Sequence, residues 1–222
     1  MALSYYSPEV ADLELLGRRL GIEVKVTGSG LFTPLFSKAI SMLLLNMPHL
    51  AEKVSNIVVG PYGMKLGLRG TESAIGVAAI PLPEGGYLFD VRLYGPEVRL
   101  VQELANSLIR NIEESKSLYE GYSPVDRQLL YVLKQIVTLG NGESLSTRAL
   151  PLLGWLVKHA PLLRELGAEK LALAAEAVLR NVRENNEVLG SLMALAKTFQ
   201  SAAAAATLPL ARRPLGLWRV LS

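Results

Sequence analysis

The side chains able to do chemistry are few and scattered. Gly28-Ser29-Gly30 lies between an alternating run and an apolar run, a place where free backbone N–H groups at a helix start can hold an anion. It lacks the further glycine of a dinucleotide fingerprint and the Gly-Lys-Ser/Thr of a phosphate loop, which favours a plain turn. The two histidines, His49 and His159, have no second ligand at i+3 or i+4, so each reads as a solvated or packed side chain before a metal ligand or a general base. None of the three aspartates, Asp12, Asp90 and Asp126, sits in a paired-acid motif, and Glu113-Glu114 reads as a solvated helix end. With no cysteine, disulfides, thiolate metal sites and cysteine nucleophiles are excluded. The expectation is no cofactor, no metal and no catalysis, unless acids distant in sequence assemble in space.

The elements that would position such residues follow from composition and periodicity. A chain of 222 residues, 50% apolar and 19% charged, is globular rather than disordered. It is long enough for one large domain or two small ones. The longest charge-free stretches, 39–51 and 198–211, are shorter than the ~18–20 apolar residues a membrane crossing needs. The first dozen residues carry no basic segment followed by an apolar run, so the expected location is the cytoplasm. Absence of cysteine also fits a heat-adapted protein. Eleven Lys and Arg against thirteen Asp and Glu leave −2 over residues 1–120, whereas twelve against seven leave +5 over 121–222. That mild bias reads as solubility before a nucleic-acid footprint.

Ser7-Pro8-Glu9 combines an N-cap hydroxyl, a proline for the first helical position and an acid for the first turn, predicting a helix over 8–20 that Gly21 ends. Ile22, Val24 and Val26 alternate with Glu23, Lys25 and Thr27, the period of a strand with one buried face. Thr33-Pro34 opens a helix to about residue 47 that is apolar nearly all round and should be buried on more than one side. Strands are expected at 57–59, 64–69, 74–80 and 87–94, separated by glycine and proline turns. Pro96-Glu97 then starts a helix with Val101, Ala105, Leu108 and Ile112 on one face. The turns between these strands are too short for crossovers. The first half is therefore an α+β unit: an antiparallel sheet with helices on one face. Beyond Gly121 no strand pattern recurs, and helices over 123–139 and about 146–159 precede a long helix. The organisation expected is a sheet domain over 1–120 and an all-helical domain over 121–222.

The long helix is predicted over 168–206. Ala168, Leu171, Ala175, Val178, Val182, Asn185, Leu189, Leu192, Ala196, Phe199, Ala203 and Ala206 are spaced alternately three and four apart, and none is charged. Such a heptad seam packs as a coiled coil, either within a helical bundle or between chains. Leu171, Val178, Val182, Leu189, Leu192 and Phe199 would supply the contact, and Asn185 is where a coiled coil fixes register. A tail over 207–222 follows. There Leu217, Trp218 and Leu221 stand among Arg212, Arg213 and Arg219, unlike the polar, frayed end of most chains.

The order strand, helix, four strands, helix resembles the helix-grip and TATA-binding-protein-like arrangements, in which a curved antiparallel sheet wraps a helix. The resemblance is one of element order. It implies a place for an apolar ligand between the sheet and helix 34–47, lined by Val24, Phe36, Ile40, Phe89 and Val91. Three functions follow, in order of preference. The first is a non-catalytic interaction or assembly protein, adaptor or scaffold, whose seam and tail engage another protein or a second copy. The second is a carrier of an apolar small molecule in that cavity. The third is a nucleic-acid binder using a basic sheet face of Lys25, Lys65, Arg69 and Arg92.

Overall fold

The computed structural model describes residues 7–116 and 121–211, and the side chains of all of these except 116 and 202–211. Helix α1 (Pro8–Leu20) starts on the extended Ser7 with proline in its first turn. It stops at Gly21, whose left-handed φ of 65° lets its N–H bond the Gly17 carbonyl. Strand β1 (Glu23–Val26) is followed by α2 (Thr33–Asn46) and the single turn α3 (Pro48–Ala51). Strands β2 (Val54–Gly60), β3 (Gly63–Leu68), β4 (Ala74–Pro81) and β5 (Tyr87–Tyr94) come next, then α4 (Pro96–Lys116) and α5 (Pro124–Leu139). The capping box at the start of α5 is complete, with the Ser123 hydroxyl accepting from the Asp126 N–H while the Asp126 carboxylate accepts from the Ser123 N–H.

The fold is α+β, and the sheet's strands lie side by side in chain order. Pairing is antiparallel from β2 onward, as the short turns require, but β1 runs parallel to β2. The connection between these two strands contains α2 and α3, which is long enough for the crossover that parallel pairing needs. Two transverse rows face the helices. Val24, Ile57, Leu66, Ile75, Leu93 and Leu145 form one, and Val26, Val59, Met64, Val77 and Val91 the other. Most of these side chains are buried, which is the stabilisation the period-two pattern announces.

A sixth strand, β6 (Ser144–Ser146), arises within the stretch expected to be all-helical. It pairs Ser144, Leu145 and Ser146 with Tyr94, Leu93 and Arg92 of β5. Three residues are too few to show a period, and only the unpaired edge of β5 draws them into the sheet. A 3-10 turn (Thr147–Ala149) leads to α6 (Leu150–Lys158) and α7 (Ala160–Glu165). Buried side chains from both halves, among them Ile57, Leu108, Leu133, Leu153 and Leu171, belong to one continuous core.

The long helix is two helices, α8 (Glu169–Glu184) and α9 (Asn186–Ala211), divided at Asn185 with φ −106° and ψ 23°. The heptad phase survives the break because both pieces bury the same stripe, yet against different neighbours. Helix α8 packs on α4, α6 and α7, whereas α9 lies on β4 and β5. A straight helix would carry one of these contacts away from its surface. Asn185 terminates α8 by donating from its side-chain amide to the Asn181 carbonyl at 2.9 Å, beside its own backbone N–H on the same oxygen at 3.1 Å. Its place is at a helix end rather than in a register-setting pair. Asn185→Leu should therefore lower stability by about 1 kcal/mol through the lost hydrogen bond, read in urea denaturation, and leave the solution mass unchanged. A shift in that mass would return Asn185 to a seam between chains. Helix α9 also continues past residue 206, through Pro209 to Ala211.

Candidate functional site

The structure places the seam residues inside this chain. Leu171, Val178, Leu189, Leu192 and Phe199 are buried, and Val182 is partly buried against the core. The surface they were expected to offer is covered by α4, α6 and the sheet.

The residues of the expected cavity come together as well, and they are packed. Phe36 and Ile40 point from α2 toward Phe89 and Val91 of β5, all buried, with Val24 partly buried at the edge. Phe199 fills the space between. Its ring centroid lies 5.2 Å from that of Phe36 and 5.2 Å from that of Phe89, and Phe32 and Tyr87 extend the cluster edge to face. These are favourable aromatic separations, and rings occupy the room a carried ligand would need.

Of the basic residues, Lys25, Lys65 and Arg92 fall in one transverse row on the face opposite the helices, with Val58 and Gly76 between them and Ser146 at the end. The Lys65 ammonium sits 4.4 Å from the Tyr94 ring centre, a cation–π contact. Arg69 is not with them. It lies past the end of β3 and donates to the Gly21 carbonyl at 3.3 Å. Asp90, which alternates with Phe89 and Val91 and so lies on this face, is only 6% exposed. The Ser146 hydroxyl donates to it at 2.7 Å, with Arg92 at 3.5 Å and Arg148 at 3.9 Å. Strand β6 brings Ser146 and Arg148 to Asp90, so two cations of this face already have an anion beside them.

The chemical candidates resolve as structural groups. Thr33 spends its hydroxyl on the glycine loop, accepting from the Gly30 N–H at 3.0 Å and lying 3.2 Å from the Gly28 carbonyl. Gly30 backs directly onto Pro61, and a Cβ there would stand 2.4 Å from the proline ring. The His159 ring stacks on Trp155 and pairs with the Trp155 carbonyl at 2.9 Å. Among the described residues no group of three or more His, Asp or Glu is placed to hold a metal.

A further surface is apolar and open, and the sequence pointed to it in the opposite sense. An all-round apolar α2 was expected to be buried on more than one side. Phe36, Ile40 and Leu44 are buried, but Leu35, Met42 and Leu45 are 39%, 54% and 64% exposed. At Leu35 and Met42 an open groove of about 500 Å³ runs between α2 and α9, its apolar lining including Ala39, Leu43, Leu195 and Phe199. Contacts at the start of α9 join it to α3 and the residues around it near one end of the groove. The Lys53 ammonium donates to the Glu187 carboxylate at 2.9 Å and His49 lies 3.8 Å from the same oxygen, while the Ser191 hydroxyl reaches the Met47 sulfur at 3.4 Å. The Lys53 hydrogen bond and charge hold the Glu187 carboxyl below the usual glutamate range, His49 adding to them against a small opposing effect of burial. The signal in the sequence was the excess of apolar residues on α2 over what one buried face requires. The tail residues Leu217, Trp218 and Leu221 lie outside the described residues.

Among the described residues no helix is long and apolar enough to cross a membrane. Comparison with known protein families, curated proteins and solved structures finds no match to this chain.

Proposed function

We propose that this is a non-catalytic interaction protein, an adaptor or scaffold of the cytoplasm, that takes an apolar helical segment of a partner protein into the groove between α2 and α9. The observation that carries the reading is the pair Leu35 and Met42, large apolar side chains left exposed on the wall of that groove. Large apolar side chains clustered in the open are what a monomer normally avoids, and an amphipathic helix laid in an apolar groove is a common mode of peptide recognition. The buried heptad stripe supports scaffolding inside the chain rather than docking. The packed ring cluster gives the carrier reading less support than the groove gives this one. On the sheet face Arg92 and Arg148 are engaged with Asp90, so nucleic-acid binding has less support there too.

The test compares the intact chain with the Leu35→Lys/Met42→Lys variant in capture from native lysate, read by quantitative mass spectrometry. Both positions are exposed, so the variant should melt as the parent does. A protein held by the groove should fall by about tenfold or more, the loss expected when central apolar contacts are replaced. Equal recovery of every captured protein by the two chains would overturn the reading.

A further inference from the structure

We propose that the C-terminal segment of this chain, residues 212–222, is the resident occupant of the α2/α9 groove and gives way to the partner segment. The proposal rests on the reading of the groove as a docking site and adds its regulation. Its first ground is composition. Leu217, Trp218 and Leu221 concentrate bulky apolar side chains in a short basic segment with Arg212, Arg213 and Arg219, and Trp, Leu and Arg together are the chemistry of a docking segment rather than of a solvated one. Leu221 stands three and four residues from Trp218 and Leu217, the spacings that bring side chains together on a helix, and the pair 217 and 221 would also share one face of a strand.

The second ground is geometry. Helix α9 is itself a wall of the groove and ends at Ala211, so the segment starts from the helix that forms the site. Phe199, at the near end, lies about 18 Å back along the helix from Ala211 at ~1.5 Å per residue. An extended chain from Ala211 to Trp218 covers up to ~23 Å, and to Leu221 up to ~33 Å, at about 3.3 Å per residue. Trp218 therefore reaches the end formed by Leu35 and Phe199, and Leu221 reaches as far as Ser191 at the other end. Pro214 has no N–H with which to continue a helix, which favours a change of direction after α9. The third ground is tethering. A short linker gives an attached segment an effective concentration of order mM, so this chain's own tail would hold the groove against weak apolar partners and yield only to a better fit.

The experiment uses the full chain and the fluorescence of Trp218. The sequence holds two tryptophans, Trp155 and Trp218, so Trp155→Phe leaves Trp218 as the single reporter. Its emission should be blue-shifted and protected from acrylamide. Adding Leu35→Lys or, separately, Met42→Lys should return both signals to those of a solvated tryptophan, while circular dichroism of the helices stays unchanged. Emission of a solvated tryptophan in the Trp155→Phe chain overturns the proposal, as does a shifted emission indifferent to both groove variants. A shift that disappears on dilution would put the tail in the groove of a second copy and overturn the internal contact. If Trp218 proves solvated while Leu35→Lys/Met42→Lys still loses its captured partner, the docking reading stands and the tail proposal alone falls. If Trp218 is docked and Trp218→Ser captures no more protein than the parent, the tail is a permanent part of the fold and its role as a competitor falls.

Discussion

Replacing Phe199 with alanine should cost about 3–5 kcal/mol of stability, the range for truncating a buried aromatic ring, and should release α9 from the sheet before the rest of the core opens. Phe199 is buried and joins the rings of Phe36 and Phe89 across two elements, α2 and β5. On α9 its buried companions Val188, Leu189 and Leu192 stand toward the first turns of the helix, and toward the C-terminus only the small Ala196 comes between. Deleting the ring removes the last large buried side chain of α9 among the described residues and opens a cavity that α2, pinned by Ile40 and Leu44, has little freedom to fill. Urea denaturation gives the loss, and amide hydrogen exchange shows where it falls. Protection should drop along α9 and persist along α8, which packs on α4 and α6 instead. A loss under about 1.5 kcal/mol with α9 still protected would mean that α9 does not depend on this ring cluster.

Replacing Asp90 with alanine should cost about 2–3 kcal/mol and loosen β6. A nearly buried carboxylate has left water and is compensated by the Ser146 hydroxyl and the guanidinium groups of Arg92 and Arg148. Removing one partner of a buried pair costs about 3–5 kcal/mol because the other charge stays behind uncompensated. The arginine side chains here are 27% and 58% exposed, so water screens part of that penalty and the lower figure applies. Asp90→Asn keeps the shape and an oxygen for Ser146, and should cost less than the alanine change. The comparison separates lost charge from lost hydrogen bonding. Hydrogen exchange at Leu145, paired with Leu93, should accelerate in the alanine variant. An unchanged denaturation midpoint for Asp90→Ala would show that β6 is held by backbone pairing and Leu145 alone.

These two residues also mark the limits of the sequence. Phe199 was legible as buried because its spacing from Leu189 and Leu192 keeps the stripe, and the stripe is a local property of a helical chain. Asp90 was legible as facing away from Phe89 and Val91 because strand alternation is equally local. Its burial was not, since it depends on β6 and Arg148 arriving from more than fifty residues away, and the three residues of β6 are too short to declare themselves. The parallel pairing of β1 with β2 was missed for a related reason. Alternation says which face is buried, whereas direction is set by the path of the connection.

For the candidate site, local pattern and tertiary context pulled in opposite directions. The heptad spacing determined that one face of 168–206 leaves water, because apolar area is driven out of water whatever covers it. That force has no direction and does not name a partner, so the same spacing suits a seam between chains and a stripe against the chain's own core. Only the tertiary structure decided between them, by bending the chain at Asn185 so that α8 meets helices and α9 meets the sheet. It decided the fate of α2 likewise. The sequence determined that α2 is apolar all round, and the packing of α1, the sheet and α9 around it determined that Leu35, Met42 and Leu45 face outward, because these neighbours leave part of its circumference uncovered.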